Sequence, residues 1–273
     1  MTYKTLMVHL ELDGNNDGVL AVAAELARRF DSHLVGIAAV QPAMTMFEQG
    51  NPLVVEEMTE LKQQLEACHR QFRTATEFKG KHAEFRSQIL YGSLAEYMAN
   101  QARCADLVIT GRDIGASLLD DSRRLNIGDL ALRAGRPVLI VPPGVKQLNM
   151  RHAFLAWKDS REARRAAADG LPLLAAAGHV TVLEITSESD EDAAKARVED
   201  VACWLERHGI SATTAVVGTK SGQTGYLRAE LLDRKCDLLV AGAYGHNRLG
   251  EWVFGGVTRD VLLNPDCCVL LSH

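Results

Sequence analysis

The sequence predicts a doubly wound α/β fold used twice. Short apolar runs alternate with longer amphipathic stretches along the whole chain. The runs are continuous rather than alternating, as parallel strands covered on both faces by crossover helices should be. The pattern also repeats. Cys104-Ala105-Asp106-Leu107-Val108-Ile109-Thr110-Gly111 resembles Cys236-Asp237-Leu238-Leu239-Val240-Ala241-Gly242: each is an apolar run led by Asp and closed by Gly. Each is followed by a second run, Pro137 to Val141 and Cys267 to Leu271. A chain of 273 residues, at about 150 residues per domain, accommodates two such units. The break Pro142-Pro143-Gly144-Val145-Lys146-Gln147 separates them, giving domains 1–146 and 147–273.

In the first half, a strand from Thr5 to Leu12 leads into an Ala-rich helix. A long helix follows from about Pro52 to Arg73, with Val54, Met58, Leu61, Leu65, Cys68 and Phe72 on one apolar stripe. Packing of this stripe on a sheet is the plainer expectation; a lid or partner surface is the sharper one. In the second half, strands are expected at 152–157, 180–185, 210–217, 237–241 and 267–271, and helices at 160–175, 190–208, 223–235 and 256–263. Asp159-x-x-Glu162 reads as a cap for the helix after Trp157. Gly170 and Pro172 weaken that helix's later turns. Strands joined by helical crossovers imply a five-stranded parallel sheet in each half.

Composition narrows the function. Hydrophobic residues make up 47% and charged residues 24%, which excludes wholesale disorder. A net charge of −5 argues against a nucleic-acid-binding face. No apolar run approaches the roughly 20 residues that span a bilayer, and no basic start precedes an apolar stretch, so a cytoplasmic location is expected. None of the six cysteines forms a CxxC pair. A zinc site on Cys267, Cys268 and His273 is disfavoured, because successive strand residues point to opposite faces.

The most informative segment runs from Leu238 to Leu271. A buried strand ends at Gly242; Ala243-Tyr244-Gly245 follow, then nine residues, then Gly255-Gly256-Val257-Thr258 opening a helix. Glycines let backbone amides approach an anion closely. A helix N-terminus adds unpaired amides and partial positive charge. The unit is suited to phosphate, although glycines after strands also simply make turns.

Gly242-x2-Gly245-x9-Gly255-Gly256-Val257-Thr258 resembles the nucleotide-binding signature of the universal stress proteins, and the tandem layout resembles that family's two-domain form. The resemblance implies an adenine nucleotide alpha hydrolase-like fold and an ATP site in the second domain. It implies that Gly242, Gly245, Gly255 and Gly256 form the phosphate loop, that Val257 and Thr258 begin the following helix, and that Ile185 lies against adenine. Two departures matter. Gly256 stands where the family has Ser or Thr; the amide remains, and the Thr258 hydroxyl is a partial substitute. The first strand should close in Asp-x-Ser, but here it reads Trp157-Lys158-Asp159-Ser160. A Lys at 158 meets phosphate as a point charge but does not support a magnesium ion. Asp159, shifted by one, is the other candidate.

The first half keeps an acidic turn, Leu12-Asp13-Gly14-Asn15, but its glycine loop is degenerate: Gly111-Arg112-Asp113-Ile114-Gly115 holds an extra residue, and Leu125-Asn126 stand where small residues are needed. This half is expected to bind no nucleotide. Gly218 to Gly225 fails the spacing of a P-loop. No His–Cys or Ser–His–Asp arrangement supports nucleophilic catalysis, and no residue is an evident general base, so at most weak ATP hydrolysis is expected. The functional candidates are therefore a nucleotide-binding stress sensor or regulator, a nucleotide-free scaffold or chaperone-like protein, and an ATP-using enzyme. The last is disfavoured because Trp157-Lys158-Asp159-Ser160 lacks the Ser-Gly-Gly-x-Asp-Ser loop of related ligases. The resemblance also implies that Val138–Val141 pairs with Val269–Leu271 as an internal pseudo-dimer, with homodimers of the whole chain a further option.

Overall fold

The computed structural model describes residues 2–12, 14–42, 52–77, 82–112, 124–219, 226–243 and 267–273. The chain forms two compact units: Tyr3–Arg136 with Pro143–Gln147, and Pro137–Pro142 with Leu148–His273 and the first two residues.

The first unit contains β1 (Thr5–His9), α1 (Asp17–Phe30), β2 (His33–Val40), α2 (Pro52–Thr76), β3 (Ala83–Ile89), α3 (Leu94–Gln101), β4 (Leu107–Gly111) and α4 (Ile127–Arg133). Its strands are parallel in the order β3-β2-β1-β4. β1 stops at His9, three residues before the expected end at Leu12. The cause is local: Asn16 Oδ1 accepts from the Glu11 amide at 2.9 Å while its Nδ2 donates to Glu11 O at 2.8 Å, which turns the chain toward α1. Leu61, Leu65, Cys68 and Phe72 of α2 are buried, and Phe72 packs on Phe85 of β3 with ring centroids 5.5 Å apart. A Cβ on Gly36 would lie 2.5 Å from the Phe72 ring, so glycine is required where α2 crosses β2. Val54 and Met58, nearer the helix start, are only half-buried.

The second unit contains β5 (Val138–Val141), β6 (His152–Trp157), α5 (Arg161–Ala175), β7 (His179–Ser187), α6 (Glu191–Arg207), β8 (Ala212–Thr219), α7 (Tyr226–Asp233), β9 (Leu238–Gly242) and β10 (Cys268–Ser272). The five strands β8-β7-β6-β9-β10 are parallel. β5 lies antiparallel to β10, with Ile140 opposite Val269 and Val138 opposite Leu271. The fourth helix expected here, at 256–263, lies outside the described residues.

Helix α5 runs through Gly170 and Pro172 to Ala175. Gly170 serves packing: a Cβ there would stand 3.0 Å from Val240 of β9. The helix cap differs from the expectation. Ser160, not Asp159, holds the extended backbone immediately before Arg161, and its hydroxyl accepts from the Ala163 amide at 3.3 Å. Asp159 is one residue too early to reach the open amides, and it pairs with Arg164 at 2.6 Å instead.

The two Asp-led runs have one structural job. Asp106 Oδ2 accepts from the amides of Lys4 and Thr5 at 2.7 and 2.9 Å, and its own amide donates to Thr5 O at 2.8 Å. Asp237 repeats this on the amides of Arg151 and His152 at 2.9 and 3.0 Å, with its amide on His152 O at 3.0 Å. Each carboxylate thus fixes the leading end of one strand against its neighbour. Hydrogen bonds to a charged acceptor contribute about 1.5–3 kcal/mol each. Asp237→Ala is expected to lower unfolding free energy by at least about 2 kcal/mol, and Asp237→Asn by less, as read by urea denaturation. An alanine variant as stable as the parent would refute this role.

Candidate functional site

In the second unit the chain runs outward from β6 through β7 to β8, then returns to place β9 on the other side of β6. The order reverses between β6 and β9, and at such a reversal the crossover helices diverge and leave a crevice at the carboxyl ends. The end of β6 supplies Trp157, Lys158, Asp159 and Ser160; the Ser160 amide donates to Lys158 O at 2.6 Å, closing a tight turn into α5. The end of β9 supplies Gly242.

Gly242 is required by packing. A Cβ there would sit 2.6 Å from both Ala163 N and Glu162 C, backbone atoms of the first turn of α5. The end of β9 therefore presses on the helix N-terminus. Beyond it, the Ala243 amide donates to Ser272 O at 2.7 Å, and His273 Nδ1 donates to Ala243 O at 3.0 Å. That engagement ties His273 to the chain after β9. Cys267 and Cys268 are both buried, and no group of three metal-binding side chains occurs among the described residues.

Lys158 and Ile185 each follow the last paired residues of β6 and β7, Trp157 and Glu184, at the carboxyl ends of adjacent strands. Lys158 is exposed and Ile185 half-buried. Asp159 is drawn aside by Arg164. Gly245, Gly255, Gly256, Val257 and Thr258 lie outside the described residues.

Two features of this end were not among the expected site residues. The Trp157 indole Nε1 is buried with no hydrogen-bond partner among the described residues. Glu184, 4% exposed, binds Arg197 of α6 through Nη2 at 2.6 Å and Nε at 3.1 Å, and Arg197 also reaches Asp190 at 2.6 Å. These charge-assisted bonds push the guanidinium pKa further up and pin the end of β7 under α6. The signal for Trp157 is an aromatic residue closing an otherwise aliphatic strand. The Glu184–Arg197 pair, thirteen residues apart, carries no periodic signal.

In the first unit the order reverses between β1 and β4. There the turn after β1 is tied down by α2: Asn16 Nδ2 donates to Gln71 Oε1 at 3.0 Å, and the Cys68 thiol donates to Glu11 O at 3.6 Å. Leu125 is buried, and Asn126 caps α4 by accepting from the Asp129 amide at 2.9 Å. The Leu-Asn pair that breaks the glycine pattern thus serves core and helix cap. His9 ends β1, fully buried, with Nδ1 3.1 Å from Thr110 Oγ1.

These features define a doubly wound α/β protein with a strand–turn–helix crevice at the order reversal of its second unit. Residues 150–273 match the model of the universal stress protein family. The fold of the whole chain is similar to that of a universal stress protein from Archaeoglobus fulgidus DSM 4304 (TM-score 0.72, 11% identity, covering 98% of this chain and 97% of that one). It is also similar to a functionally unknown protein from Pseudomonas aeruginosa PAO1 (TM-score 0.62, 15% identity, covering 99% and 92%). A universal stress protein from Archaeoglobus fulgidus in complex with dAMP matches at 18% identity with a TM-score of 0.36, over 52% of this chain and 99% of that one. No curated protein matches the sequence.

Burial lowers the His9 pKa from 6.5 to about 4. Above pH 6.5 the residue is neutral in folded and unfolded chains alike. Between 6.5 and about 4 only the unfolded chain takes up the proton, so stability falls with pH; below about 4 the loss levels off at about 3 kcal/mol. His9→Asn is expected to remove this part of the pH dependence in urea-denaturation midpoints measured from pH 7 to 4. Identical slopes in the two proteins would show that His9 is not the titrating group.

Proposed function

We propose that the second domain, residues 147–273, binds an adenine nucleotide at the carboxyl ends of β6 and β9, and that the protein serves as a stress sensor or regulator rather than a dedicated enzyme. One observation carries the reading: the order reversal gathers Lys158, the Ser160-capped N-terminus of α5 and Gly242, from which the family-type glycine loop departs. The phosphates fall to Gly245, Gly255 and Gly256, with Gly242 fixing where the loop begins and Val257 and Thr258 starting the helix behind it. Ile185 offers adenine an apolar contact, and Lys158 a mobile positive charge for phosphate. The buried, unpartnered Trp157 N–H is a donor at the same end of β6, and unsatisfied buried donors call for an acceptor. ATP suits this set. With Lys158 in the acidic position and Asp159 engaged by Arg164, the turn offers magnesium no open carboxylate. The first domain, residues 1–146, acts as a partner without a nucleotide, since its turn is held by α2. The β5–β10 pairing is read as the internal counterpart of a two-chain contact. The cytoplasm remains the proposed location; no described helix is long and apolar enough to cross a membrane.

A second reading, a nucleotide-free scaffold, draws on Gly242, whose packing against α5 accounts for glycine without a ligand. Gly245→Val separates the two. A branched Cβ there obstructs phosphate approach, and calorimetric ATP titration is expected to show affinity reduced at least about tenfold, with Lys158→Gln giving a smaller loss. ATP affinity unchanged by Gly245→Val, or no binding by the parent at millimolar ATP, favours the scaffold. Gly242→Ala is unsuitable, because it disturbs α5 directly.

A further inference from the structure

At the opposite, amino ends of the same strands, four side chains converge that are distant in sequence. His152 and His179 are direct partners in the β6–β7 register, and Thr181 and Thr213 are partners in the β7–β8 register. The alternation of strand side chains places all four on one face. His152 Nε2 lies 2.9 Å from Thr181 Oγ1, Thr181 Oγ1 lies 3.1 Å from Thr213 Oγ1, and Thr213 Oγ1 lies 3.1 Å from His179 Nε2. The two imidazole centroids are 4.8 Å apart.

The hydrogen-bond partners fix the chemistry at His152. Its Nδ1 lies 3.0 Å from Arg234 O, and a carbonyl only accepts, so Nδ1 carries the proton. Nε2 is then the lone-pair nitrogen, aimed at the Thr181 hydroxyl. A ring held by its far N–H on a backbone carbonyl is the arrangement that orients histidines toward metal ions. His179 is exposed, and moving its proton to Nδ1 frees Nε2 as a second donor. With zinc–nitrogen bonds of about 2.0–2.1 Å, each ring centroid would stand about 3.2 Å from a shared ion. The observed 4.8 Å separation is short enough for both rings to turn their Nε2 atoms onto one ion. The surrounding charges permit a cation: Arg234 is paired with Glu230 at 2.9 Å, and the Asp237 carboxylate stands on the His152 amide.

We propose that His152 and His179 form a surface site for a divalent transition-metal ion such as Zn2+ or Cu2+. The two Nε2 atoms are the protein ligands. Water completes the shell, with the Thr213 hydroxyl beside it. No third His, Cys, Asp or Glu joins them among the described residues, so the ion is exchangeable rather than structural. The site is independent of the nucleotide reading and lies at the other end of the strands.

The test uses the full chain, stripped of metal and titrated with Zn2+ by calorimetry, with Cu2+ bound in parallel for electron paramagnetic resonance. One Zn2+ equivalent is expected, weakened at least about tenfold by His179→Gln and by His152→Gln. The Cu2+ signal should carry coupling from two imidazole nitrogens, reduced to one in His179→Gln. Because the chain has nine histidines, only binding that His179→Gln removes supports the site. His179 is exposed, so this variant is expected to fold like the parent by circular dichroism. Zn2+ affinity unchanged by His179→Gln, a single coupled nitrogen in the parent, or no binding at millimolar metal would overturn it.

Discussion

Everything at the candidate site depends on a carboxylate at the other end of the sheet. Asp237 receives two consecutive amides from the start of β6, and in doing so fixes β6 against β9 before either strand reaches its carboxyl end. Parallel strands have no hairpin to set their register, so a side chain reading two backbone amides supplies what a turn supplies elsewhere. With β6 set against β9, Gly242 falls against the first turn of α5. Asp106 does the same for β1 and β4.

From that shared frame the halves diverge through side chains. In the first, Asn16 folds the turn after β1 back on itself and binds Gln71, while Cys68 bonds Glu11 O, so α2 holds that turn. In the second, α6 is held instead to β7 by Arg197 and Glu184, and the turn after β6 is left with Ser160 capping α5 and an exposed Lys158. The end of β6 carries an exposed Lys158 and a buried indole N–H with no hydrogen-bond partner among the described residues.

Much of this was legible in the sequence. The Asp-led, Gly-closed runs revealed both the repeat and the paired β4 and β9, because burial on two faces and a fixed carboxylate leave a local signature. The α2 stripe likewise marked Leu61, Leu65, Cys68 and Phe72 as core. The failures were of a different kind. Asp159 and Ser160 are both good caps, and only the backbone conformation at Ser160 decides between them. Leu10 and Leu12 continue the apolar pattern of β1, yet Asn16 ends the strand at His9 with a side-chain bond that no periodicity reports. Gly242 is expected as an approach for phosphate, and the nearness of α5 adds a packing reason for glycine that the sequence does not report. The His152–His179 pair was invisible, since residues 27 positions apart meet only once strand register is known.

The central claim is that one fold is used twice, with a single crevice left open to a nucleotide. Equilibrium dialysis of the purified full chain against labelled ATP tests it most directly. Saturation at one ATP per chain is expected. Saturation at two would show that the first crevice is open as well, and no retention at millimolar ATP would show that neither is a nucleotide site.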